Sequence, residues 1–307
     1  MSAPERVPTE RVTTLPTAAA RDLLAHGTLT VRGRIRNASN AVLFATVDAD
    51  GETLDCVYKP VAGERPLWDF PDGTLAAREV AAYEVSEATG WSLIPPTVLR
   101  DGPYGEGMCQ AWVGPPPGRE PSDSSGPSDL SDDEDDEDAE DDDGSGLGEL
   151  FTLVEGGTPP PGWKAVGHAE TEDGRPALFV HADDPRLRRL AVLDAVLNNA
   201  DRKGGHLLTS RDGRLQAIDH GVTFHAEDKL RTLLWGWAGE PLTGEAVAAL
   251  RVLRDALADG APLARRLPRL LTPAEVDAVR GRVGALLAAG RHPLPGGDWP
   301  AIPWPPL

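Results

Sequence analysis

Two stretches concentrate the residue types that phosphoryl transfer uses. One is Asn198-Asn199-Ala200-Asp201-Arg202-Lys203-Gly204-Gly205-His206. The other is Ile218-Asp219-His220-Gly221, whose Asp219 follows His206 by thirteen residues. Such chemistry needs an acid to orient the acceptor hydroxyl and oxygen or nitrogen ligands for a divalent cation at the phosphates. A carboxylate on a loop, a strand pair, and a second carboxylate before Gly can meet that need. Two further groups lie upstream. Lys59 ends an apolar, β-branched strand pattern, and a buried ammonium there requires a partner. Glu79 lies mid-helix beside the small residues Ala76, Ala77 and Ala81. Small neighbours let the helix dock closely and present that carboxylate to Lys59. A surface lysine and a solvated carboxylate are the plainer reading of the two. The polar turn Arg34-Ile-Arg-Asn-Ala-Ser-Asn40 offers N–H groups and hydroxyls that can cradle phosphate, though Ser and Asn are also ordinary turn formers.

These groups must be held by elements the sequence should disclose. A short helix is expected over 18–25, after an irregular arm. Period-two patterns predict strands over 29–35, 42–47 and 53–59, with Asp48-Ala-Asp-Gly51 as a turn. A helix is expected from Thr74 to residue 89, with Thr74 as N-cap and Gly90 ending it. Strands follow over 97–100 and 107–113. From Asp184 the period becomes helical, with Leu187, Leu190, Ala191, Asp194 and Leu197 on one face. Short strands are expected over 206–208 and 214–218. Helices follow over 245–257, 262–270 and 272–289, the last opened by the capping box Thr272-Pro-Ala-Glu275. The reading is an α+β, two-lobed fold with a β-rich N-lobe and a mainly helical C-lobe. Its expected divisions are 1–27 (arm and short helix), 28–115 (N-lobe), 116–149 (acidic linker) and 150–307 (C-lobe).

Charge sharpens this division. The 307 residues carry 49 Asp and Glu against 30 Lys and Arg, a net charge of −19. Fifteen of the acids lie between Glu120 and Glu149, where no Lys or Arg occurs. Without them 34 acids face 30 bases, so the folded body is nearly neutral. A stretch so poor in apolar residues cannot offset its ordering entropy and is expected to be disordered. The balance argues against a nucleic-acid partner, which needs clustered cations. It also argues against a membrane partner, for want of a basic amphipathic helix. Arg265, Arg266 and Arg269 could meet an anionic partner or the acidic stretch, or form a solvated face. Two cysteines without ligand spacing, no long apolar run and no apolar leader suggest a cytoplasmic setting.

Together the motifs resemble the phosphatidylinositol 3-/4-kinase-like branch of the protein-kinase fold, especially the type II phosphatidylinositol 4-kinases. They resemble more closely an actinobacterial family assigned to that branch. The stretches carrying the resemblance are Tyr58-Lys59-Pro60, Glu64-Arg-Pro-Leu-Trp-Asp-Phe-Pro-Asp-Gly73, Arg78-Glu-Val-Ala-Ala-Tyr83, residues 198–206, Ile218-Asp-His-Gly221 and Leu234-Trp-Gly-Trp-Ala-Gly239. The resemblance implies ATP and Mg²⁺ or Mn²⁺. It implies Ser39 and Asn40 in the phosphate loop, Lys59 on the nucleotide, Glu79 as its partner, and Gln110 and Trp112 in the hinge beside adenine. Asp201 would be the catalytic aspartate and Asp219 a metal ligand. His206 stands where related kinases usually place Asn, so it is either a metal ligand or a hydrogen-bonding support. His220 is likewise an unusual centre for the Asp-x-Gly motif. Three activities follow: phosphotransfer to an unidentified hydroxyl acceptor, nucleotide binding without turnover, or nucleotidyl transfer on the same fold. Trp235-Gly-Trp237 suggests either an acceptor platform or a core pair.

Overall fold

The structure, a computed structural model, describes residues 15–35, 40–114, 116, 147–171, 173–210, 213–296 and 300–306. Ser39 and nearly all of the acidic stretch lie outside the described residues. The N-lobe runs α1 (Thr17–His26), β1 (Thr28–Arg34), β2 (Leu43–Ala49), β3 (Glu52–Pro60), α2 (Leu75–Thr89), β4 (Thr97–Gly102) and β5 (Gly105–Ala111). Its five strands pair antiparallel in the order β1-β2-β3-β5-β4. Asp50 and Gly51 take φ of 51° and 83° between β2 and β3. A two-residue turn with both φ values positive matches the right-handed twist of a hairpin. One sheet face buries Ala45, Val47, Cys56, Tyr58, Val98 and Cys109 against Leu23 and Leu24 of α1. The small side chains of α2, including Ala77, Ala81 and Ala82, are buried in the larger core, together with Met108 of the same sheet.

The C-lobe departs from expectation at its start. After α3 (Leu147–Leu150), three strands β6 (Phe151–Glu155), β7 (Trp163–Glu170) and β8 (Pro176–Ala182) form an antiparallel sheet in the order β6-β8-β7. No strand was expected between residue 150 and Asp184. Strand β7 has one β-branched residue, Val166, and its register shifts between Ala165 and Gly167, which breaks the alternation. Strand β8 is apolar from Pro176 to Val180 and buried from Ala177 to His181, so it has no exposed polar face to disclose a period of two. The rest matches the reading closely: α4 (Pro185–Leu197), β9 (Leu207–Thr209), β10 (Leu215–Ala217), α5 (Gly244–Ala256), α6 (Pro262–Arg266) and α7 (Pro273–Ala289). Among the described residues no helix is long and apolar enough to cross a membrane.

Trp235 and Trp237 belong to the core, not to an acceptor platform; both are buried. Their indole N–H groups donate to Ala301 O at 2.7 Å and Asp183 Oδ1 at 2.9 Å. Gly236 between them must be glycine, since a Cβ there would overlap the His181 ring and the Lys164 side chain. The Trp237 ring lies between His181 at 4.3 Å and His292 at 6.2 Å. His181 Nδ1 meets Ala182 O at 2.8 Å while Nε2 accepts Gly236 N–H at 3.2 Å, an arrangement only the neutral ring can make. Burial pulls both imidazoles down to about 4.

This sets an acid limit on stability. The unfolded chain protonates each histidine near pH 6.5, whereas the folded chain resists down to about 4. Stability is therefore full above about pH 6.5 and lost as pH falls toward 4, at roughly 1.4 kcal/mol per pH unit per histidine. Urea midpoints measured from pH 7 to pH 5 should fall steeply, and His292→Gln should reduce the slope. A flat profile would contradict the assignment.

Candidate active site

Glu79 owes its position to the capping of α2. The first four N–H groups of a helix lack internal partners. Here the Glu64 carboxylate accepts those of Leu75 (2.9 Å) and Ala76 (2.8 Å), and Thr74 Oγ1 accepts that of Ala77 (3.0 Å). Arg78 N–H then donates to Thr74 O at 3.3 Å, the first bond of the helix itself. An anion at this end also complements the helix dipole. The helix is further tied to the C-lobe. Arg78 Nη2 donates to Glu275 Oε1 at 2.6 Å and to Asp72 O at 2.6 Å, and both charged side chains are buried. Glu275 is the acidic member of the capping box of α7.

Four elements then converge. Lys59 Nζ, from β3, donates to Glu79 Oε1 at 2.7 Å and to Asp219 Oδ1 at 3.1 Å. The other Glu79 oxygen accepts the His220 N–H at 3.0 Å, so one carboxylate bridges the lobes. Asp219 sits at φ 60°, which turns its side chain, about half-exposed, toward Lys59. Burial disfavours the Lys59 ammonium, but Asp219 and Glu79 outweigh it and raise its pKa. Lys59 in turn holds the Asp219 carboxyl well below the usual carboxylate range.

His206 Nε2 lies 3.5 Å from Asp219 Oδ2. Its Nδ1 accepts the Lys203 N–H at 3.4 Å, so the neutral ring carries its proton on Nε2. Burial pulls its pKa down to about 4 against the opposing pull of Asp219. Asp201 lies on the same loop, with Lys203 Nζ 3.5 Å from Oδ2. Burial raises the Asp201 pKa, with Lys203 opposing, which makes it a better proton acceptor.

A buried network, not recognised in the sequence, holds this loop. Arg202 and Asp194 are both fully buried and pair at 3.0 Å. Arg202 also donates to Ile218 O at 3.0 Å and meets His220 Nε2 at 2.6 Å. His220 at the centre of its motif is thus a receptor for the arginine, and an aromatic hydrocarbon could not replace it. Asn199 donates to Asp194 Oδ1 and accepts the Asp201 N–H, each at 3.0 Å. One signal was available: an aspartate on the apolar face of α4 demands a buried cation.

The remaining expected residues are placed as follows. Asn40 Oδ1 accepts the Arg65 N–H at 3.0 Å, tying the described edge of the polar turn to the 61–73 loop. Gln110 is buried, its side chain donates to Thr97 Oγ1 at 2.9 Å, and its backbone lies within the sheet, opposite Val57 of β3 and Thr97 of β4. Trp112 donates its N–H to Asp55 O at 2.9 Å and meets the Phe44 ring edge-on at 5.1 Å.

No known family profile matches the chain. It is 47% identical over 283 residues to the Mycobacterium tuberculosis protein Rv2133c, covering 92% of this chain and 94% of that protein. Over 76 residues it is 38% identical to phosphatidylinositol 4-kinase gamma 3 of Arabidopsis thaliana, a match that spans 22% of this chain and 13% of that protein. The structure of hydra Fam20 with sugar superposes with a TM-score of 0.51 at 12% identity, over 91% of this chain and 89% of that one. That likeness is one of fold, and the fold is the two-lobed, protein-kinase-like one.

Proposed function

The chain belongs to the family of the mycobacterial protein Rv2133c, and from its cleft we propose an ATP-dependent phosphotransferase of the phosphatidylinositol 3-/4-kinase-like type. The observation that carries this is the closing of Lys59 onto Glu79 and Asp219, groups 20 and 160 residues away in sequence. Nucleotide would lie between the lobes, its adenine beside the hinge that holds Gln110 and Trp112. Ser39 and Asn40 would contribute to the phosphate loop.

Lys59, braced by Glu79, would hold the phosphates. The Asp201 carboxylate would accept the proton of an acceptor hydroxyl. That oxygen would bond to the γ-phosphorus as the bond to the β–γ bridging oxygen breaks, leaving ADP. Asp219 would hold a divalent ion such as Mg²⁺ or Mn²⁺, and His206 would join it only in the tautomer that moves its proton from Nε2 to Nδ1 and gives up the Lys203 N–H bond. One carboxylate, completed by phosphate oxygens and water, is an ordinary setting for such an ion. Such an ion supplies neutralisation of phosphate charge.

A second reading, nucleotide binding without turnover, is favoured by one feature. His206 occupies the position where the kinase resemblance expects Asn, and its Nε2 proton faces Asp219. ATP labelled at the γ or the α phosphate, supplied with cell extract and Mg²⁺ or Mn²⁺, separates the possibilities. Label from the γ position alone is the expected result. Label from the α position would mean nucleotidyl transfer, and a thermal shift with no transfer from either would mean binding only.

A further inference from the structure

On the phosphotransferase reading above, we infer that Arg78 and Glu275 are positioning residues for Lys59: their buried pair fixes the rotation of α2 about its axis and so keeps Glu79 on the lysine. Arg78 and Glu79 are successive helical residues, about 100° apart around the axis. The helix is therefore gripped on two sides at one level. On one side Glu79 divides its oxygens, Oε1 for Lys59 at 2.7 Å and Oε2 for the His220 N–H at 3.0 Å. On the other, Arg78 Nη2 and Nε donate to Glu275 Oε1 at 2.6 and 3.2 Å. The second Glu275 oxygen accepts the Thr272 N–H at 2.8 Å. A turn of α2 that withdrew Glu79 would strand both members of the Arg78–Glu275 pair in the interior, which is strongly disfavoured. Packing alone grips the helix less firmly, because Ala76, Ala77, Ala81, Ala82 and Ser86 leave little side chain to interlock with neighbours.

The support is itself fixed. Farther along α7, Arg282 donates to Val196 O at 2.8 Å and to His225 O at 3.1 Å. Val196 lies in the last turn of α4, which leads into the loop carrying Asp201. One helix thus holds α2 through Glu275 and the approach to the catalytic loop through Arg282, so both halves of the site are referred to the same support. The Glu64–Gly73 stretch, unused by the chemistry, serves the same grip. Glu64 caps α2, and Asp72 O accepts from Arg78 at 2.6 Å. The Phe70 ring lies under the Arg78 guanidinium at 5.2 Å and against His225 at 5.3 Å.

The test reads the reactivity of Lys59 in the full chain without nucleotide. The chain has four lysines, Lys59, Lys164, Lys203 and Lys229. Limited acetylation by acetic anhydride, followed by peptide mass spectrometry, reports each one, and the other three register general loosening. Lys59 is 22% exposed, so the reagent can reach it. Asp219 and Glu79 hold it protonated, whereas only the free amine reacts. Glu79→Gln sets the scale: loss of one opposing carboxylate should speed Lys59 acetylation about 10-fold.

Glu275→Gln keeps an acceptor for the capping box of α7 but discharges the partner of Arg78. It should reproduce that rise while the other lysines stay within about twofold. Arg78→Met combined with Glu275→Gln leaves no unpaired charge, so it keeps the test open where the single variant is too unstable, and it should show the same rise. Arg78→Lys retains a cation on Glu275 and should restore most of the natural rate. Calorimetric affinity for a non-hydrolysable ATP analogue with Mg²⁺ should fall about 10-fold in the variants where Lys59 speeds up. Unchanged Lys59 reactivity in Glu275→Gln and in the double variant overturns the inference. A rise shared by all four lysines also overturns it, since the pair would then be a general support of the fold. A selective Lys59 response in a natural chain that binds no analogue would uphold the positioning role and sink the phosphotransferase reading instead.

Discussion

The Asp201→Asn chain is expected to transfer phosphate about 10²- to 10⁴-fold more slowly than the natural one, with ATP affinity unchanged. Asn preserves the shape of the side chain but cannot accept the acceptor's proton. Burial leaves Asp201 more basic than an ordinary carboxylate, so this loss falls on the chemical step. Its N–H bond to Asn199 Oδ1 is made by the backbone and survives the substitution. Lys59→Ala should behave differently. It removes the group shared by Glu79 and Asp219 and leaves two carboxylates facing each other across the cleft. ATP binding itself should then fail. Parallel measurement of single-turnover transfer and of equilibrium ATP binding in the two variants distinguishes them. Undiminished transfer by Asp201→Asn would remove Asp201 from the reaction.

Arg202→Met should cost about 3–5 kcal/mol of folding stability, because it strands the Asp194 carboxylate in the interior. That is a large share of the roughly 5–15 kcal/mol available to a domain. The same change removes the donor to His220 and to Ile218 O, the two contacts that orient the motif carrying Asp219. Replacing both members of the pair, as in Arg202→Met with Asp194→Leu, should be less damaging than Arg202→Met alone, since no uncompensated charge remains. Urea denaturation of the two single variants and the double variant forms the cycle. Additive losses, or a loss below about 1 kcal/mol for Arg202→Met, would show that the pair is not a unit.

Much of the frame was legible because it rests on local interactions. Thr74 and Gly90 bound α2 as their capping chemistry requires, and Thr272 with Glu275 opens α7. The turn at Asp50-Gly51 and the alternation in β2 and β3 are local as well. The sheet from Phe151 to Ala182 escaped notice for the converse reason. An apolar strand buried on both faces and a bulged strand with one β-branched residue carry no period of two.

The candidate site divides in the same way. Lys59, Glu79, Asp201 and Asp219 could be singled out from residue type and order as groups that phosphoryl chemistry would use, and the fold brings Lys59, Glu79 and Asp219 into contact. The partners of each charge could not be read. Arg78 meets Glu275 across 197 residues, and Lys59 meets Asp219 across 160. An ammonium or guanidinium will pair with whichever carboxylate packing brings within reach. That depends on how helices and sheets dock, not on neighbours along the chain. By itself the sequence determined the elements and the reactive groups they carry. Only the tertiary structure decided that Asp194 is spent on Arg202, that His220 serves that arginine, and that Arg78 closes on Glu275. Ion-pair choice is a long-range consequence of burial, whereas strands, turns and caps are decided within a few residues.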